Sequence, residues 1–196
     1  MKECWHVFPL ESFRNSLTKI VRILQQHGIA FHLSGGVTSI SYGEPRLTQD
    51  IDMVVDNSAA VNGIEGLIES LKNSDFLFDE TTLRNGVKNK RMFQLLDTKE
   101  CLKLDIYPRE LIAGELTRSE SREIFTGVHL PVASLPDATV SKLIWISKGS
   151  HKNRRDVRQI ISRATATELQ TINELVVDLE LQDLLAEVLS ESDEIE

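Results

Sequence analysis

Apolar residues at Leu10, Phe13, Leu17, Ile20, Val21 and Leu24 recur at helical spacing, and Gly28 follows where a helix stops, which predicts a first helix from Leu10 to about His27. Ile29 to Leu33 is a short apolar run ending in Ser34-Gly35-Gly36, the pattern of a strand entering a tight turn, and a short helix over Val37 to Tyr42 is expected next. Gln49 to Val55 alternates, with Ile51, Met53 and Val55 on one face and Asp50, Asp52 and Val54 on the other, so it reads as a strand. Asn57 or Ser58 can cap a helix through Val61, Ile64, Leu67, Ile68 and Leu71. Arg91 to Leu96 and Cys101 to Tyr107 read as two strands joined by the hairpin loop Asp97-Thr98-Lys99-Glu100. Gly127 to Ala133 adds an edge strand interrupted by Pro131. From Pro136 the pattern is helical: Asp137 to Lys148, Lys152 to Arg163, and Thr167 to Leu189, whose apolar stripe is interrupted at Gln182-Asp183.

Strands mixed with helices first, and helices alone afterwards, argue for an α+β fold: a small mixed, mostly antiparallel sheet with flanking helices, plus a C-terminal helical part. The boundary is expected near Leu135, giving a core over residues 1–135 and a helical region over 136–196 that packs on it and ends in a short acidic tail. A chain of 196 residues can bury a core of its own without disulfide or metal staples.

Composition narrows the function classes. The chain has no apolar run long enough for a membrane helix and no signal-peptide pattern at Met1 to His6, so no membrane association and a cytoplasmic location are expected. Cys4 and Cys101 then read as reduced thiols, and neither they nor His6, His27, His32, His129 and His151 show zinc-ligand spacing. P-loop and dinucleotide-binding glycine patterns are missing. The net charge of -8 is lopsided: ten of the 30 acids follow Arg163, beyond which no Lys or Arg occurs, leaving 20 acids against 22 bases before it. Lys142 to Arg163 carries seven bases and one acid, Asp156, so a local phosphate-binding surface is compatible with the acidic total.

The chemistry concentrates around Asp50 and Asp52. Two apart on a strand, they leave the same face with α-carbons about 6.5 to 7 Å apart, and a divalent cation between them removes their mutual repulsion. An Asp-x-Asp pair is also common on solvated strand faces. Asp105 lies on the polar face of the later strand with Lys103; paired with the first strand it brings a third carboxylate to the group, while read alone it is a surface acid bonded to Lys103. Ser34-Gly35-Gly36 is placed where glycines let backbone approach a phosphate and free N–H groups at a helix start point toward it. Arg46 and Thr48 stand in the loop before the Asp pair.

The succession Gly35-Gly36, short helix, Arg46-x-Thr48-x-Asp50-Ile51-Asp52, then Leu104-Asp105-Ile106, resembles the nucleotidyltransferase superfamily built on the DNA polymerase beta palm, and within it the AbiEii-type toxin nucleotidyltransferases. The resemblance spans roughly Ile29 to Ile160. It implies an enzyme that moves a nucleoside monophosphate from an NTP to an acceptor hydroxyl and releases pyrophosphate, with two Mg²⁺ ions, one on Asp50, Asp52 and Asp105 and one on Asp50 and Asp52. By the same resemblance Ser34, Gly35 and Gly36, with Arg46 and Thr48, hold the nucleotide, and Lys142 and Asp156 complete the site. Ser141-Lys142-Leu143 and Arg155-Asp156-Val157 match the family's later elements, although Trp145 and Gln159 depart from them. Implied acceptors are tRNA, a protein or a small molecule, with Lys152, Arg154, Arg155 and Arg158 suiting tRNA, and a cognate antitoxin is an implied partner. Two other readings stand beside this one: a non-catalytic relative that binds a nucleotide or partner, and an interaction module whose acidic C-terminal helix meets a basic protein.

Overall fold

The computed structural model describes residues 10–43 and 50–191. In chain order they form α1 (Leu10–Gln26), β1 (Phe31–Leu33), α2 (Gly35–Tyr42), β2 (Asp50–Val55), α3 (Asn57–Asn62), α4 (Ile64–Lys72), β3 (Phe76–Leu77), α5 (Glu80–Asn89), β4 (Phe93–Asp97), β5 (Leu102–Tyr107), β6 (Glu120–Phe125), β7 (Val128–Val132), α6 (Leu135–Ser147), α7 (Asn153–Ile161), α8 (Ala166–Asp178) and α9 (Gln182–Ser190). The strands pair in one sheet in the order β3-β4-β5-β2-β1-β7-β6. The β2–β5 and β1–β7 pairs are parallel and the others antiparallel, so the expected α+β class with a mostly antiparallel mixed sheet is what forms.

Alternation along the strands gives the sheet one apolar face. Ile51, Met53, Leu95, Leu102, Leu104 and Ile106 are all but fully buried there. Ile20 and Leu24 of α1 and Leu67 and Leu71 of α4 converge on Val55, Phe93, Leu95 and Ile106. Each such Leu or Ile contributes about 2 kcal/mol by leaving water. A polar clamp fixes α1 at the end of this face: buried Asp97 accepts from Ser16 Oγ at 2.7 Å, from Lys19 Nζ, and from the backbone N–H groups of Lys99 and Glu100 in the hairpin loop.

The other face is polar at its centre; α2 packs on β2 there, and α6 packs on α2 and meets β5 through an edge contact of Trp145 with Tyr107. Helix α6 starts with Pro136 in its first turn and Ser134 as N-cap, and every residue from Leu135 to Leu143 is buried, because α2, α7, α8 and α9 all contact it. A helix surrounded in this way shows little amphipathic period.

Several expectations are corrected. The helix expected after Asn57 is two, divided at Gly63, and its cap is Asp56, whose carboxylate accepts from Ser58 N at 2.9 Å. Helix α5 and strands β3 and β6 are additions to the expected elements. The strand carrying Pro131 is not the edge, because β6 covers it. The expected continuous helix from Thr167 to Leu189 breaks at Leu179 to Leu181, three residues before the interruption in the stripe, with Glu180 at φ 57°. Cys101 is an exposed thiol, whereas Cys4 lies outside the described residues. No described helix is long and apolar enough to cross a membrane.

Candidate active site

Asp50, Asp52 and Val54 leave β2 on the side away from the core. The parallel register sets Lys103 beside Asp50, Asp105 beside Asp52 and Tyr107 beside Val54, while Gln94 of β4 stands beside Asp105. Three carboxylates and one lysine therefore share a patch. Lys103 Nζ lies 2.9 Å from Asp105 Oδ2 and 3.6 Å from Asp50 Oδ2, and Gln94 Nε2 donates to Asp105 Oδ1 at 3.0 Å. The Lys103–Asp105 pairing allowed by the sequence thus exists, and it coexists with the approach of Asp105 to the Asp50–Asp52 face.

The turn after β1 is built against Asp52. Ser34 N donates to the Asp52 carbonyl at 2.9 Å, and Gly36 N–H reaches the Asp52 carboxylate. Gly35 has φ +56°, and a Cβ placed on it would stand 1.9 Å from Asp52 Oδ2, so this position takes only glycine. Burial first, and then repulsion from Asp50 and Asp105, raises the Asp52 pKa to about 6 against the opposing pull of Lys103 and the Gly36 N–H. Tyr107 Oη stands 3.5 Å from Asp52 Oδ1, a long contact, and its own pKa is raised by burial first and by Asp52 next. Three carboxylates with mutual repulsion are hard oxygen donors that suit a divalent cation. Among the described residues, however, no three acids, histidines or cysteines are already gathered as a ligand set.

Lys142 and Asp156, far apart in sequence, meet behind the turn. Lys142 is only 4% exposed; its Nζ donates to Ser39 Oγ at 2.8 Å, Asp156 Oδ2 at 3.0 Å and the Gly35 carbonyl at 3.3 Å. Ser39 Oγ donates to the same Asp156 oxygen at 2.8 Å. The lysine therefore ties α2 and the glycine turn to α6 and α7, and it is a buried, ion-paired group instead of a solvated one on an amphipathic helix. Arg46 and Thr48 lie outside the described residues.

Ser34, Gly35, Gly36, Asp50, Asp52, Lys103, Asp105 and Lys142 open on a cleft of about 500 Å³, lined also by Tyr107, Arg109, Leu111, Glu115, Trp145 and Lys152, whereas Asp156 is not part of its lining. Tyr107 was legible, since alternation puts it on the face of Asp105; Glu115 carried no signal, being in a loop without period. Of the four bases suited to tRNA, Lys152 lines the cleft, while Arg154 pairs with Glu187 at 2.8 Å and both Arg154 and Arg158 engage Glu191 beside α9.

Glu115 is 1% exposed, and its Oε2 lies 3.7 Å from buried His32 Nε2. Burial raises its pKa from 4.5 to about 7, helped by repulsion from Asp137 and Glu110 and opposed by the N–H groups of Leu111 and Ile112. A carboxyl whose folded pKa exceeds its unfolded one contributes stability below the unfolded value, and that contribution is lost as pH rises through the folded value. Glu115→Gln should therefore match the wild type near pH 4 and become more stable than it between pH 4.5 and 7, by on the order of 2 kcal/mol at the upper end. Urea denaturation across that range measures the difference. His32, whose pKa is lowered to about 4 chiefly by burial, is neutral over most of this range.

The fold is similar to that of the antibiotic-resistance factor ANT(2'')-Ia in solution (TM-score 0.54, 12% identity, covering 87% of this chain and 92% of that one). It is also similar to an antigenic nucleotidyltransferase-like protein from Paracoccidioides brasiliensis (TM-score 0.52, 18% identity, covering 92% and 93%). Among curated proteins none matches by sequence. At these identities the likeness is one of fold; the class, nucleotidyl transferase, comes from the match to a family model. More narrowly, the family model described as nucleotidyl transferase AbiEii toxin, type IV toxin–antitoxin system, matches residues 20–181, and the chain belongs to that family.

Proposed function

We propose that the protein transfers a nucleoside monophosphate from an NTP to a hydroxyl of tRNA or of a protein, in a Mg²⁺-dependent reaction, as the toxin of a pair held in check by a cognate antitoxin. The observation that carries this reading is the register that sets Asp105 beside Asp52, with Asp50 on the same face and the Gly35 turn packed on the Asp52 carboxylate.

In this reading Asp50, Asp52 and Asp105 would hold the metal. Two bound Mg²⁺ ions would supply charge neutralisation on the triphosphate and a lowered pKa for the acceptor hydroxyl. The remaining work falls to the chain. Ser34, Gly35 and Gly36 present backbone to the phosphates at the start of α2, where the helix dipole favours negative charge. Lys142 keeps that turn in place through the Gly35 carbonyl and adds positive charge beside it, while Asp156 and Ser39 orient its ammonium. The acceptor oxygen forms a bond to the α-phosphorus, the bond to the β-phosphate oxygen breaks, pyrophosphate leaves with that electron pair, and the hydroxyl proton passes to solvent. Lys152, exposed and lining the cleft, would meet an anionic acceptor.

Incubation with each α-labelled NTP, Mg²⁺ and either total RNA or lysate protein tests the proposal. Label in RNA or in protein names the acceptor class. Nucleotide binding without label transfer to either, and without pyrophosphate release, favours the non-catalytic alternative and overturns the catalytic one.

A further inference from the structure

We propose that Lys103 is a built-in counterion of the carboxylate group, an ammonium that holds the interval between Asp50 and Asp105 and that a divalent cation must displace. This rests on the metal-site reading above and assigns that site a competitor.

The placement follows from the strands. Lys103 is two residues before Asp105 on β5, so alternation sends both to one face, and the register sets Lys103 directly beside Asp50. Its Nζ is within hydrogen-bonding distance of Asp105 Oδ2 at 2.9 Å and close to Asp50 Oδ2 at 3.6 Å, one oxygen from each of two strands. Asp105 spends its other oxygen on Gln94. The charge that neutralises the acids is therefore supplied by the chain, at a point bounded by two of the three proposed ligands. Opposite charges at such distances interact strongly near a protein surface, and a divalent ion has to replace this interaction as well as shed water. The Lys103 side chain is 43% exposed on a flexible stem, so it can leave without disturbing the core, and the cleft it lines is the one that would receive a polyanionic triphosphate.

Removing the ammonium while keeping the stem should strengthen metal binding to the nucleotide-free protein. Isothermal titration with Mn²⁺ alone is expected to show Lys103→Met binding about tenfold or more tightly than wild type, and Lys103→Arg binding like wild type. Mn²⁺ should also raise the melting temperature of Lys103→Met more than that of wild type. Adding Asp50→Asn to Lys103→Met should abolish the gain. Equal or weaker Mn²⁺ affinity in Lys103→Met overturns the counterion role and leaves the metal site standing. No Mn²⁺ binding in any variant, or binding indifferent to Asp50→Asn, overturns both.

Discussion

Asp52→Asn is expected to lower nucleotidyl transfer about a thousandfold or more while leaving the metal-free protein at least as stable as wild type. The two halves have separate causes. Loss of one carboxylate removes charge stabilisation worth several kcal/mol at the transition state, and each 1.4 kcal/mol is tenfold in rate. In the folded state the same carboxylate is a burden: it is partly buried, its pKa is pushed to about 6, and Asp50 and Asp105 repel it. The amide keeps the shape and can still accept from Gly36 N–H, so relief of that repulsion is worth up to about 1 kcal/mol near pH 7.5 in the presence of a chelator. Turnover of labelled NTP and urea denaturation measure the two halves on the same sample. Wild-type turnover in Asp52→Asn would remove Asp52 from the site, and a loss of several kcal/mol in stability would recast it as a structural group.

How much of this arrangement the sequence carried depends on whether the determining contacts are local. Alternation in Asp50–Val55 and Leu102–Tyr107 was enough to say which side chains share a face, because period two is a property of one strand. It could not say that Asp105 stands beside Asp52, since a parallel register between strands about fifty residues apart is fixed by packing elsewhere; there the family resemblance supplied the expectation. Helix α5 escaped detection because only Leu83, Gly86 and Val87 of its ten residues are buried, too few to show a period, even though Asp79 caps it. Strand β6 is half-exposed along its whole length and reads as polar loop. The break at Glu180 carries neither glycine nor proline, the residues that ordinarily announce one. The meeting of Lys142 with Asp156 is not legible in either helix, because the two belong to different helices and only the packing of α6 against α7 and α2 brings the pair together behind the turn.

Gly35→Ala is expected to abolish most activity and to destabilise the protein, and the size of each effect separates strain from collision. Gly35 has φ +56°, where a residue with a Cβ costs about 1 to 2 kcal/mol. Gly28, after α1, has φ +63° with nothing within 4 Å of an added Cβ, so Gly28→Ala carries the strain alone and should lose about 1 kcal/mol with turnover unchanged. At Gly35 the methyl would also lie 1.9 Å from Asp52 Oδ2 and 2.5 Å from its Cγ, both atoms of a short side chain with little room to yield. Either the turn backs away from the strand or the carboxylate rotates off its face, and both outcomes move the groups proposed to hold phosphate and metal. The stability loss should therefore exceed that of Gly28→Ala by about 1 kcal/mol or more, and turnover should fall about a hundredfold, since misplacement of about 1 Å has that effect on a positioned site. Placing Gly35→Ala in an Asp52→Ala background removes the oxygen and carbon it meets most closely and leaves only the Cβ at 2.8 Å, so its stability cost should shrink while staying above the Gly28→Ala value. If the cost is the same in both backgrounds, the turn does not rest on Asp52, and the close approach of glycine to carboxylate is not what shapes the site.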